Sequence, residues 1–206
     1  MVEGVTKVGR PVLTTALLQI GVFVQMLCEA WHAVDLLAFL PESYNNSIPF
    51  ILYRGALGLG IVNFILLMTW LVKATRFIAP KATPALTFTP AWAVVWWFVP
   101  VANFVTPFMV MLELHNASRT PNGWSHKNWP VLAVLWWGAT LAGLGLVVVE
   151  HFGDAMGIDV PPLDVMNAAV YGAGALRLLC LLILVTVIAS FQKAVGTSNP
   201  KIENVF

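Results

Sequence analysis

PAWAVVWWFVPVANFVTPFMVMLELHNA, residues 90–117, decides how many times this chain crosses a membrane. The stretch is long enough to cross, since a crossing takes about 20 apolar residues at about 1.5 Å of rise each. Its interior holds Pro100 and Pro107, and each proline removes a backbone donor and drives its ring into the preceding turn. It also holds Asn103, Glu113 and His115, side chains that are costly in hydrocarbon. Two readings follow. The stretch is either a fifth, kinked span or a broken element that enters and leaves on one side.

The flanking segments are simpler. Four apolar runs, about 11–40, 48–78, 129–152 and 163–193, read as spanning helices. Basic residues border them unevenly. Lys7 and Arg10 precede the first run, Lys73, Arg76 and Lys81 lie at or just beyond the end of the second, Arg119 and Lys127 follow the broken stretch, and Lys193 and Lys201 lie at and beyond the end of the last. The 41–49 loop has Glu42, and the 150–164 loop has Glu150, Asp154, Asp159 and Asp164, with no Lys or Arg in either. Positive residues stay on the cytoplasmic side. A fifth span would force a basic loop outside, whereas a returning element keeps every basic cluster inside. We therefore expect an all-α integral membrane protein of one domain, residues 1–206. It has four spanning helices, a Pro-broken re-entrant or interfacial helical element over about 90–117, and both termini in the cytoplasm; five spans is the alternative.

Composition agrees with this. Residues are 59% hydrophobic and 10% charged, against about 25% charged in a soluble domain. A net charge of +1 gives no electrostatic case for nucleic acid. The first apolar run is too long for a cleavable signal, whose core has roughly 7–15 residues. Cys28 and Cys180 make no disulfide framework. No Walker loop, dinucleotide fingerprint, Gly-x-Ser-x-Gly or His-Glu-x-x-His motif occurs. Trp92, Trp96, Trp97, Trp124, Trp129, Trp136 and Trp137 crowd the broken stretch and the segment after it. They read as an interfacial anchoring belt or, more sharply, as an aromatic pocket for a lipid or quinone.

The residues Pro90, Trp92, Trp96-Trp97-Phe98-Val99-Pro100, Asn103, Pro107 and Glu113, with Ala117-Ser118 and the later Trp136-Trp137 pair, carry a resemblance. The pattern is similar to a bacterial membrane family catalogued as domain of unknown function 4328. Ala91, Thr106 and His115 stand where that family more often has a glycine, a basic residue and an aromatic. The resemblance implies a multi-pass protein of the bacterial inner membrane and implies no activity.

Ionisable residues inside spans are functional candidates. In the first segment Gln25, Glu29 and His32 share a helical face by the i, i+3, i+4 rule, with Asp35 close by. Counting rise along each helix places Arg54, Glu150, His151 and Asp154 near the same outer level. Three readings are open: a structural ion-pair network of Arg54 with Glu29 or Asp35, a proton or divalent-metal site, and a haem or pigment held by His32 and His151. One Glu-x-x-His motif, Glu29 to His32, is too few ligands for a di-metal bundle. The sequence specifies no cofactor. Arg177, about 20 Å along the last helix, needs a partner, either Glu113 or the headgroup region by snorkelling. Gly138/Ala142, Ala168/Gly172 and Ala169/Ala173 are small-residue pairs suited to helix packing.

The function expected from these readings is a non-enzymatic small subunit or scaffold that packs against a larger membrane protein complex. A proton- or metal-linked transporter using Glu29, His32 and Asp35 is the alternative, and a haem- or pigment-binding protein the second.

Overall fold

The computed structural model describes residues 9–37 and 47–197, with side chains apart from those of 35–37, 47–57, 154 and 164. The long helices are α1 (Val12–Leu37), α2 (Ser47–Ile78), α5 (Val131–Phe152) and α6 (Leu163–Thr197). Between α2 and α5 lie the short helices α3 (Trp92–Val95) and α4 (Thr106–Arg119), with single 3-10 turns at Trp96–Phe98 and Ala102–Phe104. No strand forms among the described residues, and four helices are long and apolar enough to cross a membrane. The protein is an all-helical, four-span membrane protein.

Prolines set most of the boundaries. Helix α1 begins directly after Pro11, whose carbonyl accepts the Thr15 hydroxyl at 2.7 Å and the Thr15 N–H at 2.8 Å. Pro49 sits in the first turn of α2, where a missing N–H costs nothing. Pro80 tightens the end of α2 into a 3-10 turn, Ala79–Lys81. Helices α5 and α6 start after Pro130 and Pro162. Helix α6 runs to Thr197, four residues beyond the expected end and through Gly196. The expected end of the first helix, 38–40, lies outside the described residues.

The 90–117 stretch is broken where its prolines predict. Val99, before Pro100, is extended at φ −91° and ψ 112°, the conformation that a following proline imposes. Pro107 falls in the first turn of α4, where it is tolerated. Helix α4 has 14 residues and is therefore about 21 Å long, short of a hydrocarbon core of about 30 Å.

The chain forms two compact units, and α1, α2 and α6 contribute residues to both. The described part of unit 1 is 9–17, 66–130 and 185–197, and that of unit 2 is 18–37, 47–65 and 131–184. In unit 1, α4 buries Pro107, Phe108 and every residue from Val110 to Ser118. Trp70, Leu71, Ala74 and Ile78 present one apolar face of α2, and Val185, Ile188 and Gln192 present one face of α6. Trp70 Nε1 donates to Thr15 Oγ1 at 3.0 Å, and Lys73 Nζ to Thr14 Oγ1 at 2.9 Å. In unit 2, Leu18, Val22 and Gln25 form the buried face of α1, and Asn63 is buried on α2.

Candidate functional site

Two polar residues of α4, Glu113 and Asn116, are spent on the loops beside it. Glu113 is only 2% exposed. Its carboxylate accepts the backbone N–H groups of Thr87 and, at 3.3 Å, of Phe88. Burial raises its pKa more than those bonds and the nearby His126 lower it. Asn116 Nδ2 donates to the carbonyls of Ser125 at 2.9 Å and Asn128 at 2.8 Å. The His115 ring meets Phe191 edge-on at 5.5 Å, and its Nδ1 lies 3.1 Å from Asn116 Oδ1. Burial, helped by the charge of Arg119, lowers the His115 pKa, and the Asn116 bond opposes the shift. Gln192 Nε2 bridges Ala74 O and Ser118 Oγ, each at 3.2 Å.

The two loops clasp each other. Thr83 N–H donates to Pro121 O at 2.7 Å, Gly123 N–H donates to Thr83 O at 2.6 Å, and Trp124 Nε1 donates to Pro84 O at 2.6 Å. Gly123 adopts φ +83°, a conformation that a side chain would strain.

On this base the signature residues divide. Pro107 and Glu113 are buried, while Trp92, Pro100 and Asn103 are exposed and Pro90, Trp96 and Trp97 are half-buried. Phe98, Val101, Phe104 and Val105 all project from the short turns, Val101 with 84% of its surface open. The tryptophan belt is partial. Trp92 and Trp129 are exposed, but Trp124 and Trp136 are buried.

Unit 2 holds the second group. Asn63 Nδ2 donates to Gln25 Oε1 at 2.8 Å, and Gln25 Nε2 donates to Glu29 Oε1 at 3.0 Å. Arg177 Nη2 lies 3.8 Å from the same Glu29 oxygen. That distance is an ion-pair separation and exceeds hydrogen-bond reach. Two glycines admit these side chains, since a Cβ at Gly21 would overlap Asn63 Oδ1 and a Cβ at Gly174 would overlap Glu29 Oε2. The His32 ring stacks on Tyr171 at 5.2 Å. A cleft of about 430 Å³ opens beside the pair, lined by Glu29, by Thr140, Leu144 and Val147 of α5, and by Tyr171 and Arg177 of α6.

This geometry corrects the sequence-based pairing. Arg177 meets Glu29 and not Glu113. Counting rise along the axis put Glu29 and Arg177 at different depths. His32 against Tyr171 and Glu29 against Gly174 show that α1 and α6 run antiparallel in unit 2. Side chains lean toward their own helix N-terminus, so on antiparallel helices the two lean toward each other and close the gap. The side chains of Asp35, Arg54 and Asp154 lie outside the described residues. Glu150 is half-buried, and the exposed His151 places Nδ1 2.9 Å from Val147 O of its own helix. Among the described residues no three His, Cys, Asp or Glu side chains gather where they could hold a metal ion. Cys28 and Cys180 are free thiols. Open space surrounds Gly138 and Gly172, and it is Gly143 that faces Ala173.

Asn63, Gly174, Tyr171 and Thr140 were not singled out by the sequence. Asn63 had a usable signal, a lone amide in the middle of an apolar run.

The model of the family described as Domain of unknown function (DUF4328) matches residues 43–193. The chain belongs to this family. No curated protein and no solved structure matches it. The matched segment of this DUF4328 chain contains all of α3, α4 and α5 and the Arg177 half of the ion pair, whereas Gln25 and Glu29 precede it.

Proposed function

We propose that this DUF4328 chain is a non-enzymatic multi-pass subunit or scaffold of the bacterial inner membrane, packing against a larger membrane protein through its 92–105 element. One observation carries the reading: Phe98, Val101, Phe104 and Val105 are exposed together on short turns that pack against the buried helix α4 and are closed by their own backbone bonds, from Val99 N–H to Trp96 O, Asn103 N–H to Val99 O and Val105 N–H to Ala102 O. Aromatic and aliphatic anchors are what interface cores use. A surface fixed beforehand avoids the ordering cost of binding. Glu113 and Asn116 of α4 serve loop backbone, which supports a structural role for them. The loop charges support a cytoplasmic location for this element and for both termini. The test is a photocrosslinker at Val101 in native membranes, followed by purification in mild detergent. We expect one stoichiometric membrane protein, lost in a Phe98→Ser, Val101→Ser double variant. Crosslinks to lipid alone, with a monodisperse protein free of partners, would sink the reading.

The hydrogen-bonded series Asn63, Gln25, Glu29, with Arg177 at its end, favours a second reading, proton-linked transport through the Glu29, His32 and Asp35 group. That reading predicts a proton-dependent flux in liposomes that Glu29→Gln abolishes.

A further inference from the structure

The unit 2 cleft offers chemistry that the subunit reading leaves unused. Arg177 has a guanidinium with five donors, yet it donates a hydrogen bond to no group among the described residues, and its only partner there is Glu29 at 3.8 Å. It sits in a helix long and apolar enough to cross a membrane, and donors in the hydrocarbon of a bilayer have no water to bond. The cleft beside it, about 430 Å³, falls within the range of roughly 300–1,000 Å³ typical of small-molecule sites.

The lining fixes what kind of molecule fits. Glu29 cancels the charge of Arg177, so an anionic head would leave a net negative charge in a low-dielectric cleft, which is costly. A neutral head with oxygen acceptors incurs no such penalty and fills the guanidinium donors. Tyr171, braced by the His32 ring at 5.2 Å, gives the cleft an aromatic wall for a flat ring. Leu144 and Val147 continue it as an apolar track. Gly174 is required for this arrangement, because any side chain there would displace the Glu29 carboxylate. We infer that this cleft binds a quinone-type ligand, a flat neutral ring whose carbonyl oxygen accepts from Arg177 and whose apolar tail lies along α5. The inference concerns binding and is independent of the partner surface on the 92–105 element.

The test uses full-length protein in phosphatidylcholine nanodiscs and a decyl-benzoquinone with a photoreactive group on its tail. Labelled peptides should map to α5 and α6 around Leu144 and Val147, and unlabelled decyl-benzoquinone should compete. Arg177→Leu should weaken binding tenfold or more. Leu144→Trp fills the track from a side chain that is 47% exposed, so it should abolish labelling while leaving the thermal midpoint unchanged. Absence of label on α5 and α6 of the wild type overturns the proposal, as does equal labelling of both variants. Equal competition by decanoyl glycerol would show a general acyl groove, and stronger competition by decanoate an anion site; either result overturns the ring assignment.

Discussion

Glu113 and Glu29 are both carboxylates in apolar surroundings, and they are satisfied in opposite ways. Glu113 is enclosed by protein and accepts two backbone N–H groups from one loop. Glu29 takes a single amide from Gln25 and faces Arg177 across a gap that opens on a cleft. Fixed backbone donors leave a carboxylate no freedom, so Glu113 works as a latch. A side-chain amide and a distant cation leave Glu29 and Arg177 free to take part in binding. Removing the first should therefore damage the fold, and removing the second should damage an interaction.

The largest expected effect tests the latch. Glu113→Ala strands the Thr87 and Phe88 N–H groups and should cost about 3 kcal/mol of stability, read as a lower thermal midpoint in detergent, with Glu113→Gln costing less. A neutral result for Glu113→Ala would erase the contrast between the two carboxylates. Gly174→Ala comes next, at about 2 kcal/mol for overpacking against Glu29, together with loss of decyl-benzoquinone binding. Asn63→Ala should cost only about 0.6 kcal/mol, typical of an interhelical hydrogen bond in a membrane, while still weakening binding because Gln25 loses its support.

The smallest effect is a pH dependence in unit 1, and its sign follows from the direction of each shift. His115 has a lowered pKa in the folded state, so the unfolded chain binds more protons and stability falls as pH drops from the ordinary histidine range toward the folded value. His115→Phe, which keeps a ring against Phe191, should flatten the thermal midpoint in that window. Glu113 is raised, so its contribution runs the other way: stability is lost as pH climbs from the ordinary glutamate range through the folded value. Glu113→Gln should remove that slope.

The broken element was readable because Pro100 and Pro107 act locally, which is a property of the chain alone. The four spans followed from length and hydropathy for the same reason. The pairing of Arg177 was not readable, since it depends on side-chain lean and reach across antiparallel helices, and axial counting sees only the backbone. Asn116 illustrates the same limit. Nothing in its sequence position marks it, yet the folded chain buries Asn116 and uses its amide to hold two carbonyls.

The absent side chain at residue 174 acts as a mould for the one at residue 29, which makes the two positions heritably dependent. A lineage that acquires alanine at 174 is expected to shorten or lose the acid at 29 in step, and a lineage that loses the acid is released to vary at 174. Comparing related chains at these two positions would show whether the pair drifts together, even though only one of them lies inside the segment that defines the family.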